Sequence, residues 1–183
     1  MIKPFAELSA AYHLLTPVRV AVLKSLGKVK VEGRWEAFEK GDEASLPLWL
    51  SEELRKLGYV DPREQELTDS DVGKYLMVEK GLKSNEFASL RERFYLEARE
   101  LLKELREGAP KRSEDVLRAI KLEGNLSDLQ RIRTRKIVQI AFLGGKVEEF
   151  ADKLLPEERA LFTLIREMLS EWSAEVLGSG ELG

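Results

Sequence analysis

Four basic residues occur within six positions of one predicted helix: Arg131, Arg133, Arg135 and Lys136. Guanidinium groups bind phosphates and carboxylates through paired hydrogen bonds, so this group predicts either a nucleic-acid contact or ion pairs with carboxylates. The side chains do not share one face, because Arg133 and Lys136 turn toward an apolar stripe of the helix. Residues 146–183 contain nine acidic and four basic residues. We therefore favour pairing between helices or between subunits over binding of DNA.

No other residues have the spacing of a catalytic or metal site. The chain has no cysteine and one histidine, His13, which excludes zinc fingers, iron–sulfur clusters, cysteine nucleophiles and multi-histidine sites. Asp69 and Asp71 lack the glycine and the spaced acids of a calcium loop, so a helix cap is expected there. Gly144 and Gly145 follow a helix, which predicts a C-cap and not a phosphate cradle. The sequence therefore predicts a protein that is not an enzyme and that uses no cofactor or metal.

The composition indicates an assembly or binding role. The 183 residues include 30 Lys+Arg and 33 Asp+Glu, a net charge of -3, so contact with nucleic acid would require a local patch. Trp35 and Trp49 carry rings on which bases could stack, although Trp49 is expected to pack against the strands. Few Asn and Gln beside many charged residues resemble the composition of thermophile proteins. The sequence has no secretory signal and no long apolar run, which predicts a cytoplasmic protein.

The predicted elements divide into three parts: a small α+β domain at residues 1–61, a polar linker at residues 62–67 and a helical domain at residues 68–183. Alternating valines predict strands in the small domain. Pro47 and Gly58 delimit a short helix. The predicted core of the small domain comprises Val20, Val22, Val29, Val31, Trp49, Leu50 and Leu54.

The helical domain is expected to be a bundle of about five helices. Capping residues place the helix starts at or just after Thr68, Ser84, Ser113, Ser127 and Pro156. The last four helices are expected to end near Gly108 and Pro110, Gly124, Gly144 and Gly145, and Gly178. The predicted fold class is therefore mainly α, with a C-terminal helical bundle and a small N-terminal α+β domain.

The C-terminal helices carry more apolar surface than one neighbour covers. Apolar residues of the last helix span an arc of about 160° on an ideal helix. A well-filled monomer core gives the same periodicity, but apolar surface left over after packing marks an interface. The candidate subunit-interface residues are Leu96, Arg131, Arg135, Val138, Phe142, Phe162, Ile165, Leu169 and Trp172.

Two stretches resemble a known family. Residues 46–54 (LPLWLSEEL) are similar to the small B domain of GINS proteins, and residues 128–141 (DLQRIRTRKIVQIA) are similar to the arginine-rich helix of their helical A domain. The small domain precedes the helical domain, as in the archaeal GINS subunit related to the Psf-two and Psf-three proteins. In the partner of that archaeal subunit, the two domains occur in the reverse order. The resemblance extends from about residue 17 to 177.

The resemblance implies a structural subunit of a 2:2 heterotetramer that acts in DNA replication. The implied partners are a second GINS subunit type, the MCM helicase and a RecJ-like protein, with indirect contact with DNA. Such a complex joins MCM and the RecJ-like protein into an active helicase at replication forks on the nucleoid. Two other interpretations stay open: a stand-alone DNA-binding protein that uses Arg131 and Arg135, and an adaptor of another pathway.

Overall fold

The computed structural model describes residues 11–31, 33–107, 113–144, 150 and 152–178. The chain forms two compact units, Met1–Glu66 and Leu67–Gly183, each with its own hydrophobic core. The boundary between them lies inside the predicted linker at residues 62–67. Leu67, at the end of that linker, is buried in the core of the second unit.

The small unit combines two antiparallel sheets with a short helix. Its described strands are β1 (Pro17–Val22), β2 (Gly27–Val31), β3 (Arg34–Phe38), β4 (Glu43–Pro47) and β5 (Val60–Pro62). One sheet has the strand order β4-β1-β5, and β2 pairs with β3 in a separate ribbon. A helical stretch at residues 11–15 precedes β1, and helix α1 (Leu48–Lys56) follows β4.

The core of the small unit lies between these strands and α1. Three of the predicted core residues are buried, namely Val20, Val22 and Val31, and three are partly buried against them, namely Val29, Leu50 and Leu54. The seventh prediction is wrong, because Trp49 is 47% exposed. Five residues along a helix correspond to a rotation of about 140°, so Trp49 faces away from Leu54 and from the strands.

The described part of the helical unit contains four helices: α2 (Asp69–Gly81), α3 (Phe94–Glu107), α4 (Ser113–Phe142) and α5 (Pro156–Leu177). Helices α2, α3 and α5 all pack on α4, which is 30 residues long. The prediction of a mainly α protein with a helical bundle and a small N-terminal α+β domain is confirmed.

Local capping signals place several helix ends correctly. Thr68 and Asp71 form a reciprocal capping box at the start of α2, with N···O distances of 3.2 and 3.3 Å. Pro156 is the first residue of α5, and Gly178 ends that helix in the left-handed conformation with φ 64°. Helix α4 begins at the predicted residue Ser113.

Gly124 and Ser127 do not divide a third helix from a fourth, so the described part of the helical unit has four helices where about five are predicted. Helix α4 runs through both positions. Leu122 and Leu129, on either side of them, are fully buried in one core. Burying a leucine stabilises by about 1.5–3 kcal/mol, which exceeds the cost of about 1 kcal/mol for a helical glycine.

The predicted start at Ser84 is also wrong, because α3 begins at Phe94. The predicted helix ends at Gly108, Pro110 and Gly145 lie outside the described residues.

Candidate subunit interface and its buried ion-pair cluster

Four charged side chains are buried together where α2, α4 and α5 meet. Glu79 comes from α2, Arg133 and Lys136 come from α4, and Glu158 comes from the first turn of α5. All four are almost completely inaccessible to solvent. Arg133 and Lys136 are three positions apart and therefore project from one face of α4.

The Arg133 guanidinium uses all five of its N–H groups. Nε and Nη2 donate to Oε1 and Oε2 of Glu158 over 2.6 and 2.7 Å. Nη1 donates to Oε2 of Glu79 at 2.8 Å and to the carbonyl oxygen of Ala88 at 2.9 Å. Nη2 donates also to the carbonyl oxygen of Lys153 at 3.0 Å. Because each donor has an acceptor, this buried cation is fully compensated.

Lys136 and Glu79 bind the chain segment that follows α2. The Lys136 Nζ atom donates to Oε1 of Glu79 at 2.7 Å, to the Glu79 carbonyl at 3.2 Å and to the Glu86 carbonyl at 3.0 Å. Oε2 of Glu79 accepts the backbone N–H of Ala88 at 2.9 Å. The backbone on both sides of residue 87 is thus bonded to side chains of α2 and α4.

These contacts explain why α3 begins at Phe94 and not at Ser84. A helix through residues 84–93 would direct its carbonyl oxygens along its own axis, where the buried cations could not reach them. In the structure the Phe87 ring instead covers the cluster, with its centroid 5.2 Å from Cζ of Arg133. Tertiary hydrogen bonds therefore override the local helix signal.

The cluster balances its charge internally, since two cations face two carboxylates. Burial alone lowers the pKa of Arg133, but the hydrogen bonds and the charge of Glu158 outweigh burial and raise that pKa. Tyr95 donates its O–H to Oε1 of Glu158 at 2.8 Å. Burial, and next the Glu158 charge, raise the pKa of Tyr95 well above its ordinary value. The hydroxyl of Tyr95 therefore stays a proton donor to Glu158 at neutral pH.

The arrangement holds helices together. The predicted pairing of the basic group with carboxylates on other helices is confirmed for Arg133, which bonds to Glu79 and Glu158. Oε2 of Glu158 also accepts the backbone N–H of Leu155 at 2.9 Å, which caps the start of α5. The cluster thereby fixes the first turn of α5 on α4.

Arg131 and Arg135 lie on the opposite side of α4. The Arg131 side chain is 78% exposed and pairs with Asp128 at 2.6 Å. Arg135 is exposed as well. At helical spacing these two cations share a stripe with exposed apolar residues, and we call this stripe the outer α4 face: Leu117, Ile120, Arg131, Arg135, Val138 and Phe142.

Helix α5 is anchored at its start and has little cover along the rest of its length. Its buried residues are Glu158 and Phe162, and no residue between 163 and 177 is buried. That stretch nevertheless contains four large apolar side chains spaced four residues apart, all of them exposed. We call them the exposed α5 face: Leu164, Met168, Trp172 and Val176.

A family model described as Sld5, the GINS complex protein helical bundle domain, matches residues 49–177. The chain belongs to the GINS family. The match runs from α1 to the end of α5, so it includes the buried cluster and both exposed faces. GINS proteins are structural subunits of a replication complex, and this GINS chain is a subunit that acts in DNA replication and contacts other GINS subunits. Comparison with curated proteins finds no match.

The structure separates the candidate interface residues of this GINS chain into three groups. Five are exposed: Arg131, Arg135, Val138, Phe142 and Trp172. Three are partly buried: Leu96 on α3, and Ile165 and Leu169 on α5. Phe162 is buried in the core beside Ile137 and Ile140, so its prediction as an interface residue is wrong.

Glu79 and Glu158 are not among the residues predicted from the sequence as partners of the basic group. Glu79 follows the buried residues Val72 and Leu76 at helical spacing, and a carboxylate at such a position signals a buried partner. Glu158 occupies the third position of α5, where a capping-box carboxylate is expected. Their pairing with Arg133 spans 54 and 25 residues, which no local pattern encodes.

The other polar candidates have structural roles in this GINS chain. His13 is buried in the small unit. Asp69 binds Arg118 of α4 at 2.9 and 3.2 Å, and Asp71 binds Lys74 at 2.9 Å. Within the described ranges, no three His, Cys, Asp or Glu residues are placed to hold a metal ion. None of the helices described has the length and apolar character needed to cross a membrane.

Proposed function

We propose that this GINS chain is a non-enzymatic subunit of a 2:2 heterotetramer, in which a second GINS subunit type covers the exposed faces of α4 and α5. The exposed α5 face carries this proposal. Trp172, 62% exposed, lies in the middle of a continuous apolar stripe on a helix that has no buried residue beyond Phe162. Contiguous apolar surface of this kind is typical of a protein interface.

The free energy gained by burying apolar side chains favours an interface that uses both faces. Completing the burial of a half-exposed large apolar side chain contributes roughly 1–2 kcal/mol. The four residues of the exposed α5 face then contribute about 4–8 kcal/mol, which is comparable with the cost of about 4–15 kcal/mol for association. The outer α4 face adds four further apolar side chains, Leu117, Ile120, Val138 and Phe142. The two faces together make stable association favourable.

The outer α4 face fits a protein partner better than a phosphate backbone. Arg131 is already paired with Asp128, and both arginines adjoin the apolar side chains of Val138 and Phe142. A phosphate backbone offers the arginines acceptors but offers these apolar groups no cover, whereas a protein surface offers both. Arg131 and Arg135 then pair with partner carboxylates at the edge of the interface.

The finer assignment rests on the resemblance of residues 46–54 and 128–141. It supports the archaeal subunit type related to Psf-two and Psf-three, with the small domain at residues 1–61, the linker at 62–67 and the helical domain at 68–183. In this proposal the helical domain builds the tetramer, and the complex joins the MCM helicase and a RecJ-like protein at replication forks on the nucleoid. The helicase gains activity because its partners are held in one geometry, and no cofactor takes part.

Affinity isolation of the tagged chain from its native organism tests this proposal. We expect a second GINS chain, MCM and a RecJ-like protein to be recovered together. The double variant Met168→Asp/Trp172→Asp should lose the second GINS chain, since it places two charges on the exposed α5 face. Trp49→Asp is the matched control, because Trp49 is an exposed tryptophan of the small unit. Full recovery with the double variant, or recovery of none of the three partners with the unaltered chain, contradicts the proposal.

A further inference from the structure

The β2–β3 ribbon of the small unit presents one aromatic ring beside two ammonium groups. Lys30 is directly opposite Trp35, and Lys28 is directly opposite Ala37. Opposed residues of an antiparallel pair project to the same side, so these four side chains form one surface, which we call the outer ribbon face. All four residues are exposed, and Trp35 is 69% exposed.

The opposite side of the ribbon is fixed to the core of the small unit. Val31 and Phe38 are buried there, and Val29 packs against them. Glu36 is opposite Val29 and therefore projects to this inner side. The outer ribbon face thus carries two cations and no described carboxylate, and Glu32 lies outside the described residues.

The outer ribbon face has no partner within the part of the chain that the structure describes. Neither Lys28 nor Lys30 forms an ion pair with a described residue, and the Trp35 ring makes no ring or cation contact there. Lys24, by contrast, places its ammonium 5.2 Å from the centroid of the Tyr59 ring. As far as the described residues go, the ring and the two ammonium groups of the ribbon are therefore open to a ligand.

We propose that the outer ribbon face binds single-stranded nucleic acid, with a base stacked on Trp35 and neighbouring phosphates bound by Lys28 and Lys30. The two lysines are two residues apart on β2, so their Cα atoms are about 7 Å apart along the strand. An aromatic platform bordered by cations is the arrangement that non-specific single-strand binders use.

A protein ligand fits this face less well. The face has no large apolar side chain besides Trp35, whereas the core of a protein interface needs several. A single exposed ring suits a flat base, and the two ammonium groups on the neighbouring strand suit the adjoining phosphates. The site is independent of the subunit proposal, because β2 and β3 precede the residues that the GINS family model matches.

Fluorescence anisotropy with the full chain and a labelled oligothymidylate of about 12 nucleotides tests the site. Trp35→Ala should weaken binding by about 5- to 150-fold, the range for loss of one stacked base. The double variant Lys28→Ala/Lys30→Ala should reduce the slope of log affinity against log salt by about 1.4, corresponding to two phosphate contacts on a single strand. Because the substituted side chains are exposed, the thermal midpoints should stay unchanged.

Matched substitutions elsewhere on the chain serve as controls. Lys103→Ala/Lys121→Ala removes two exposed lysines of the helical unit, and Trp49→Ala removes the other exposed tryptophan of the small unit. These variants should bind the oligonucleotide like the unaltered chain. Equal binding by Trp35→Ala and the unaltered chain overturns the proposal, as does tighter binding of a duplex. Stronger competition by polyglutamate than by unlabelled oligothymidylate also overturns it and assigns the face to an acidic protein.

Discussion

Arg133 of α4 and Glu158 of α5 form a two-point ion pair, with Nε–Oε1 and Nη2–Oε2 distances of 2.6 and 2.7 Å. Both side chains are buried, and their remaining polar atoms bond to Glu79, Tyr95 and the backbone. The pair fixes the first turn of α5 on the bundle. Among the described residues no buried ion pair of this kind anchors the rest of α5, and its apolar face is exposed.

Removing one member of this pair should strongly destabilise the helical unit. Arg133→Ala leaves the Glu158 and Glu79 carboxylates buried without their shared cation, and we expect the free energy of unfolding to fall by about 3–5 kcal/mol. Urea denaturation of the full chain measures this. Arg131→Ala is the matched control, because its exposed pair with Asp128 is worth at most about 1 kcal/mol. Similar losses for the two variants would show that the buried cluster does not hold the bundle together.

Glu79 should control the local stability of the segment before α3. Its Oε2 atom accepts the backbone N–H of Ala88 inside the buried cluster. In Glu79→Ala we expect faster amide hydrogen exchange at Ala88, because this hydrogen bond is lost. Glu86→Ala is the control, since among the described residues its side chain accepts just the exposed N–H of Lys83, at 3.2 Å. An unchanged exchange rate at Ala88 in Glu79→Ala would contradict the role given to Glu79.

The capping box of α2 should make stability depend on pH in the acidic range. Hydrogen bonds from Thr68 and then from Lys74 lower the pKa of Asp71 to about 2. An unfolded aspartate has a pKa of about 3.9, so the Asp71 carboxylate stabilises the folded state above pH ~4. This contribution is lost as the pH falls toward ~2. The difference in thermal midpoint between the unaltered chain and Asp71→Asn should be present at pH 7 and shrink toward pH 2. A difference that stays constant over this range would contradict the contribution of the Asp71 carboxylate to stability.

Gly124 offers a test of the continuous α4 helix. An ideal Cβ at this position meets no heavy atom within 4 Å, and the backbone is helical. Gly124→Ala should therefore raise the free energy of unfolding by about 0.5–1 kcal/mol. Gly178→Ala should lower it by about 1–2 kcal/mol, because Gly178 has a left-handed φ of 64°. Destabilisation by Gly124→Ala would contradict an unbroken helix at that point.

Features decided by a few neighbouring residues were predictable from the sequence. The Thr68 cap and the proline start of α5 follow local rules. So does the burial of Val20 and Val22, which are two positions apart on β1. The fold class follows from the sum of such signals. The continuity of α4 was not predictable in this way, because the buried leucines on either side of Gly124 outweigh the local helix-breaking signal.

The site depends on contacts between residues far apart in the chain. The basic group of α4 indicated carboxylate partners, but only the folded bundle shows that Glu79 and Glu158 supply them. Hydrogen bonds from the same buried cluster hold the backbone of the segment after Ser84, and this segment is therefore not part of α3. Phe162 and Trp172 share an apolar pattern, yet the core covers only Phe162, because Ile165 packs only partly against that core and no residue from 163 to 177 is buried.

Light scattering of this chain mixed with a second GINS chain from the same organism tests the proposed interface most directly. We expect one complex with the mass of two copies of each chain. Phe142→Asp/Trp172→Asp should return the mixture to separate species without lowering the thermal midpoint of the chain, since the two side chains are 74% and 62% exposed. Trp49→Asp should assemble normally. A mixture that stays as separate monomers, or a double variant that assembles like the unaltered chain, would contradict the claim that α4 and α5 form the interface.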